Sequence, residues 1–256
     1  LITAFLRYLF SAKNEHSIHS PFVFELYTKV IRNSVDKSVF QEIEAIRSEM
    51  KSSTLEIEVV DYGAGSRLSN TPLRKVSTIA KNAQKTPKFS QLLYRLIQYF
   101  QPTVLFDLGT SLGITTLYEA KAAPEAQIYS FEGCPQTAQV AAKNLQKLQA
   151  SKVELVIGNL DETLVTQAQQ VSQIDFAFFD ANHRYEPTVR YFLQCLKKAH
   201  QDSVFVFDDI HWSPEMGKAW IEIQAHPSVT VTIDLFFVGL VFFGNKQPKQ
   251  HFVLRF

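Results

Sequence analysis

Through the first hundred residues the apolar positions fall at helical spacing, in Leu1–Phe10, Phe22–Arg32 and Ser38–Met50, where Val39, Ile43, Ile46 and Met50 share one face. Ser20-Pro21 has the form of a helix start, a capping hydroxyl followed by proline at the first helical position. The alternating run Leu55–Val60 reads as a strand entering the glycine loop Asp61–Ser66. Lys88–Phe100 is strongly amphipathic: Phe89, Leu92, Leu93, Leu96, Ile97 and Phe100 follow the i, i+3, i+4 rule. From Gln101 onward, short apolar blocks alternate with helical stretches. The predicted strands are Thr103–Asp107, Gln127–Phe131, Val153–Ile157, Ile174–Phe179, Ser203–Phe207, Val229–Phe236 and Leu240–Phe243. Helices are expected at Ile114–Ala123, Gln136–Gln149, Glu162–Gln170, Pro187–Ala199 and Pro214–Ala225. Strands separated by helices imply a parallel sheet with right-handed crossovers. The last two strands lie too close for a crossover and should pair antiparallel at one edge. The expectation is an α/β protein with a doubly wound, mostly parallel seven-stranded sheet, an antiparallel edge hairpin and an N-terminal helical cap. The cap would take residues 1–100 and the sheet domain residues 101–256.

In open parallel sheets a ligand sits beyond the carboxyl ends of the strands. Here those ends are Asp107-Leu108-Gly109, Glu132-Gly133, Gly158-Asn159, Asp180 and Asp208-Asp209. One acid after a strand is unremarkable, because turns favour Asp and Asn. Five polar ends in succession read as a binding edge. Gly109 and Gly113 bracket a turn whose missing side chains admit a ligand to the backbone, or simply allow the turn. The spacing lacks the third glycine of a dinucleotide fingerprint, which weighs against hydride transfer with a nicotinamide cofactor. Glu132 follows Gly113 by nineteen residues, where a carboxylate can accept both hydroxyls of a ribose.

Taken in order, Phe106–Tyr118 (FDLGTSLGITTLY), Tyr129–Gly133 (YSFEG), Val156–Leu164 (VIGNLDETL), Phe176–Glu186 (FAFFDANHRYE) and Val204–Trp212 (VFVFDDIHW) resemble the motifs of class I S-adenosylmethionine-dependent methyltransferases. Within that class they are most similar to the catechol and caffeoyl-CoA O-methyltransferase group. The resemblance spans roughly Phe89 to Phe243 and implies a Rossmann-like methyltransferase fold with residues 101–256 as the cofactor-binding catalytic domain. It implies that Asp107, Gly109, Ser111 and Gly113 form the cofactor turn and that Glu132 binds the ribose. Asn159, Leu160 and Asp161 would flank the adenine, and Asp180 would border the cofactor.

Methyl transfer from a sulfonium is an in-line displacement, so alignment is the protein's main task. A hydroxyl acceptor must also lose its proton, to a base or with the help of a metal. Asp180, Asp208 and Asp209 can gather as an all-oxygen site suited to Mg²⁺ or another hard divalent cation. His183, three residues past Asp180, lies in the loop where the resembling enzymes place a lysine base, and histidine suits that task. The match departs from the group in two respects: related metal-dependent enzymes have Asp-Asn where this chain has Asp208-Asp209, and the loop after Asp180 is one residue shorter. His183 also reads as a loop histidine bonded to a neighbouring carbonyl, and Asp209 as a turn acid before Pro214.

Charge narrows the partners. Lysine plus arginine total 26 against 25 acids, leaving no field to attract nucleic acid or an anionic membrane. A small-molecule acceptor is therefore the expected partner, with a homo-oligomer left open. Two cysteines, Cys134 and Cys195, form no disulfide framework and fit a reducing, cytoplasmic setting. The apolar Leu1–Phe10 is too short to span a bilayer. Three features stay unassigned: the Asp61–Ser66 loop, the pair His16 and His19, and the basic stretch Arg67, Arg74, Lys75, Lys81, Lys85 and Lys88. The expectation is an enzyme that moves a methyl group to an oxygen of a small acceptor. The rivals are a nicotinamide-dependent oxidoreductase and a non-catalytic nucleoside-cofactor-binding protein.

Overall fold

The computed structural model describes residues 2–60, 72–244 and 248–256. The Asp61–Ser66 loop and Arg67 lie outside the described residues. The chain divides into two compact units, one of Ser34–Thr163 and one of Leu1–Asn33 with Leu164–Phe256. Helices α1 (Ile2–Ser11) and α2 (Pro21–Leu26) open the chain. The start of α2 is the one its sequence announces: Ser20 Oγ accepts from Val23 N, and Pro21 takes the first helical position. The helix does not run on as a single α-helix to Arg32. Tyr27–Ile31 widen into a π-turn, closed by Arg32 N donating to Tyr27 O, with Tyr27, Val30 and Ile31 buried.

In the unit Ser34–Thr163, α3 (Gln41–Ser52) follows a single 3₁₀ turn over Lys37–Phe40. Strand β1 (Glu56–Glu58) is shorter than Leu55–Val60 and pairs antiparallel with β2 (Leu73–Lys75). Helix α4 (Val76–Asn82) and helix α5 (Pro87–Phe100) follow. Thus two of the basic residues, Arg74 and Lys75, lie on a strand. Thr86 caps α5 through Phe89 N, with Pro87 behind it. Then β3 (Val104–Leu108), α6 (Ile114–Ala122), β4 (Gln127–Glu132), α7 (Pro135–Lys147) and β5 (Val153–Ile157) alternate as expected. The three strands are parallel, β4 between β3 and β5. Apolar faces of α3, α4, α5, α6 and α7 share one core built around Phe40, whose ring lies edge-on to Tyr94 at 4.9 Å and stacks on Tyr118 at 4.7 Å. Truncating so buried an aromatic to alanine costs about 3–5 kcal/mol. A polar seam runs beside it. Tyr118 donates to Glu44 Oε1 at 2.7 Å, and Arg47 donates to the same carboxylate and to Lys85 O. Burial, with Glu44 adding to it, pushes the Tyr118 hydroxyl well above the usual tyrosine value.

The division between the units falls within α8 (Leu160–Gln170). The second unit continues with β6 (Phe176–Phe179), α9 (Tyr185–Leu196), β7 (Val204–Asp208), α10 (Pro214–Ala225), β8 (Val231–Asp234), β9 (Val238–Phe242) and β10 (Gln250–Val253). The strand order is β6, β7, β9, β8, β10. β6 and β7 are parallel, and β9 is antiparallel to both β7 and β8. The antiparallel hairpin is present, yet it is not an edge. β10, a strand absent from the expected set, pairs parallel with β8 and covers it. The all-apolar strands fill the interior with rings: Phe179 stacks on Phe207 at 4.2 Å, and Phe192 meets Phe205 and Phe207 edge-on. Gly239 is required by packing, since a Cβ there would lie 2.5 Å from Trp220 Cη2. Trp220 is therefore a core residue. The α/β class and its mostly parallel strands are those the alternation of periods predicts.

Candidate functional site

Two polar groupings stand at strand ends, one in each unit. In the unit Ser34–Thr163, the turn between β3 and α6 is left-handed at Gly109 (φ 122°), Ser111 (φ 50°) and Gly113 (φ 79°). A Cβ on Gly113 would also come within 3.2 Å of Ala141 Cβ, so glycine lets α6 start against α7. Ser111 holds its left-handed backbone without glycine's freedom, so its neighbours must fix it. They do: Gly109 N and Thr110 N both donate to Phe131 O, and Ser111 N donates to Glu132 Oε2 at 2.8 Å.

Glu132 is thereby the keystone of this turn. Its other oxygen, Oε1, accepts from Cys134 N at 2.9 Å. Burial raises its carboxyl above the usual glutamate value, and Asp107 adds to that. The Cys134, Ser111 and Gly133 amides pull the other way. Each carboxylate oxygen has a second lone pair, so both can still accept a ligand hydroxyl.

Asp107 has a different place from the turn residues. It is fully buried, and its Oδ2 accepts from Thr116 Oγ1 at 2.7 Å and Ser130 Oγ at 2.6 Å. Ser130 Oγ also pairs with Thr110 Oγ1 at 2.6 Å. This hydroxyl network ties β3, β4 and α6 behind the turn and braces it. Gly158, left-handed at φ 138°, follows β5 with its N donating to Glu132 O. Asn159 then starts α8: its Oδ1 accepts from Asp161 N, and its carbonyl accepts from Glu162 and Thr163 N. Leu160 is half-buried and Asp161 exposed at the first turn of that helix.

In the other unit, Asp180 follows β6 and Asp208 ends β7. The loop after Asp180 carries two successive left-handed residues, Asn182 (φ 67°) and His183 (φ 47°), with His183 N donating to Ala181 O. This tight turn brings the imidazole back over the carboxylate, Nε2 lying 3.4 Å from Asp180 Oδ1. One ligand atom from each of Asp180, His183 and Asp208 lies within 4.8 Å of the others. Among the described residues this is the one grouping of three or more such side chains that could hold a metal ion. The composition differs from the expected trio of carboxylates: His183 joins the two aspartates, and Asp209 is outside the group. Asp209 is left-handed (φ 53°), its N donating to Phe237 O and its O accepting from Trp212 N. It turns the chain. The sequence pattern could not separate two adjacent aspartates, since alternation of sides along the extended chain and the turn after it decide which one faces Asp180.

His211, in the loop after β7, reaches across to the end of β8. Its Nε2 pairs with Asp234 Oδ2 at 2.7 Å, and no local motif links positions that far apart. Two other histidines of that unit, His226 and His251, sit below the ordinary histidine value, chiefly through burial and secondly through Lys249. His16 is exposed and sits within 4.0 Å of Glu15, and His19 is also exposed. The two cysteines are both free and buried.

Comparison with known proteins places these features in a family context. A family model described as "Methyltransferase domain" matches residues 106–210, from the glycine turn to just past Asp208. Catechol O-methyltransferase of Mycobacterium tuberculosis is 31% identical over 152 residues, which cover 59% of this chain and 66% of that protein. Catechol O-methyltransferase of Niastella koreensis is 27% identical over 147 residues, covering 56% and 64%. The matched segment thus spans slightly less than two thirds of each relative. Among solved structures, the O-methyltransferase from Bacillus cereus in complex with SAH superposes with a TM-score of 0.56 at 17% identity, covering 86% of this chain and 97% of that one. TomG from Streptomyces achromogenes, in complex with SAM, gives 0.58 at 17% identity, covering 87% and 96%. At that identity the likeness is one of fold.

Proposed function

We propose that this chain is a class I S-adenosylmethionine-dependent methyltransferase and moves a methyl group from that cofactor to an oxygen of a small acceptor of the catechol type. The observation that carries the reading is the Glu132 carboxylate held by Ser111 N and Cys134 N beside a left-handed glycine turn. That arrangement presents two carboxylate oxygens and a bare backbone, which fit a ribose diol and the methionine part of the cofactor. Gly109, Ser111 and Gly113 would lie along the methionine, and Asn159, Leu160 and Asp161 along the adenine. When bound, S-adenosylmethionine supplies an electrophilic methyl carbon on a sulfonium. A hydride-transfer site is disfavoured by the same turn, which lacks the third glycine of a dinucleotide fingerprint.

On the acceptor side, His183 takes the hydroxyl proton. With Nε2 toward Asp180, the accepting nitrogen is Nδ1, and Asp180 orients the ring and stabilises the cation that forms. Two carboxylates with an imidazole also fit a divalent cation such as Mg²⁺ or Mn²⁺, and a bound cation would lower the pKa of an acceptor hydroxyl. Asp180 and Asp208 would hold it. The closeness of His183 to both favours a second reading, in which the imidazole is the third ligand and the proton passes to solvent. The catechol class is supported by the two relatives bearing that name. A cytoplasmic setting accords with two free cysteines, and no helix among the described residues is long and apolar enough to cross a membrane.

The decisive experiment pairs calorimetry with S-adenosylhomocysteine and NAD with a methyl-transfer assay on catechols, with and without chelator. Binding of the first ligand alone, and turnover lost in Asp180→Ala and His183→Ala, are expected. Binding of NAD alone would overturn the cofactor assignment. Full turnover in both variants would remove the acceptor-side mechanism.

A further inference from the structure

The loop that leaves Asp208 is fastened from one side by a group of residues outside the acidic cluster. Asp234, at the end of β8, is almost fully buried and uses both carboxylate oxygens. Oδ2 pairs with His211 Nε2 at 2.7 Å, and Oδ1 accepts from Phe236 N at 2.8 Å. One side chain therefore joins the loop after β7 to the turn of the β8–β9 hairpin. The same two segments meet again through the backbone, where Asp209 N donates to Phe237 O at 2.6 Å. His211 lies nearly parallel to Phe236, 25° between planes with centroids 5.3 Å apart. Phe236 is itself buried, and left-handed at φ 72°. Phe5 and Tyr8 of α1 pack on it at 4.9 and 5.3 Å, and Tyr8 is anchored through its hydroxyl to Leu254 O.

These contacts have one structural consequence for the cluster. Asp209 and Phe236 both hold left-handed backbone without being glycine, a state that persists only where surroundings determine it. Asp209 is the residue that turns the chain immediately after Asp208. Whatever fixes that turn fixes the direction in which the Asp208 carboxylate leaves β7. Strand pairing of Asp208 with Val238 sets its backbone, and the clamp sets the exit. A carboxylate–imidazole pair is suited to this, because the buried Asp234 carboxylate is costly to leave without its partner.

We propose that His211 and Asp234 are positioning residues that hold Asp208 in register with Asp180 and His183. The proposal rests on the reading of that cluster as the acceptor side. It predicts that loosening the clamp changes the cluster without touching the cofactor turn. His211→Phe keeps a ring on Phe236 and removes the bond to Asp234; His211→Gln keeps a donor and removes the ring. Tyr8→Phe, which loosens the same aromatic cluster from the far side, is the control for general destabilisation.

Each variant of the full chain is titrated with Mn²⁺, followed by electron paramagnetic resonance, and its His183 ring signals are recorded by NMR. S-adenosylhomocysteine affinity is measured alongside. In His211→Phe the Mn²⁺ affinity is expected to fall at least tenfold and the His183 signals to move, with S-adenosylhomocysteine affinity unchanged. His211→Gln should stay within threefold of the parent, and Tyr8→Phe should alter neither reading. Parent-like Mn²⁺ affinity and His183 signals in His211→Phe would overturn the proposal, as would an equal change in Tyr8→Phe. If the parent binds no Mn²⁺ at millimolar concentration, the cation reading of the cluster fails. The His183 signals then decide the positioning role by themselves.

Discussion

Replacing Glu132 with glutamine isolates the carboxylate that the cofactor reading depends on. The side chain keeps its shape, and its single oxygen can serve one of the two amides, Ser111 N or Cys134 N. The NH₂ group must then face the other, and one unsatisfied donor costs about 1–3 kcal/mol. Against that stands the burial of a charge. Burial is the largest influence on Glu132 and raises its folded-state value above the ordinary 4.5. A raised carboxyl contributes most to stability below the unfolded value and loses that contribution as pH rises through the folded one. At neutral pH its charge therefore opposes folding, and glutamine relieves that cost. The two effects offset, so the melting temperature of Glu132→Gln should move by only a few degrees. Ligand binding has no such offset. Hydrogen bonds to a charged acceptor contribute about 1.5–3 kcal/mol each against about 0.5–1.5 for neutral ones, so weakening two ribose bonds loses about 2–3 kcal/mol. That is roughly a 30- to 150-fold weaker affinity for S-adenosylhomocysteine. Calorimetry at pH 7.5 measures it directly. A second signature comes from acid: parent affinity should decline at a pH where an ordinary glutamate is still ionised, and the glutamine variant should show no such decline. Affinity within threefold of the parent, with the fold intact, would refute the ribose assignment.

Gly113→Ala should be more damaging to stability than its size suggests. The left-handed backbone disfavours a Cβ by about 1–2 kcal/mol, and the contact with Ala141 at 3.2 Å adds to it, so thermal unfolding should come several degrees earlier. Gly239→Ala tests a pure packing limit: its Cβ would overlap the Trp220 ring, and a loss of about 1–3 kcal/mol is expected in denaturant unfolding, with S-adenosylhomocysteine affinity unchanged. His226 and His251 have depressed folded-state values, so their contribution is present above the unfolded value of 6.5 and is lost as pH falls from there through the folded-state value. Melting temperatures of the double variant His226→Gln, His251→Gln, followed from pH 7.5 to 5.5, should decline less steeply than those of the parent. An unaltered slope would show that other groups set the acid limit.

What the chain shows on inspection follows the periodicity of burial. The strands Val104–Leu108, Phe176–Phe179 and Val204–Asp208 announce themselves because buried parallel strands need apolar residues on both sides. Helix starts at Ser20-Pro21 and Pro214 were equally legible, since a cap is a local device. β10 was not, because Gln250-His251-Phe252-Val253 is half-exposed and mixes polar with apolar residues, and its pairing with β8 is long-range. Without it the hairpin reads as an edge. The π-turn at Tyr27–Ile31 leaves no mark either: its apolar residues satisfy a helical period whichever bond closes the turn.

The site divides along the same line. Glu132 was placed correctly at a strand end because strand ends can be counted from the sequence, but the two amides that hold it come from separate turns and only folding joins them. Asp107 shows the reverse: its position in the motif marks it as part of the turn, while its burial among Thr116 and Ser130 makes it the brace behind it. For Asp208 and Asp209 the sequence offers two identical side chains and no means to choose between them. The choice is made by backbone geometry, since strand pairing points one carboxylate toward Asp180 and the left-handed turn sends the other away. A residue of the same chemistry one position along is therefore a participant in a different structure. This is why Asp208→Asn should abolish any divalent-cation binding by the cluster, while Asp209→Gly, which accepts the left-handed turn without strain, should leave it intact.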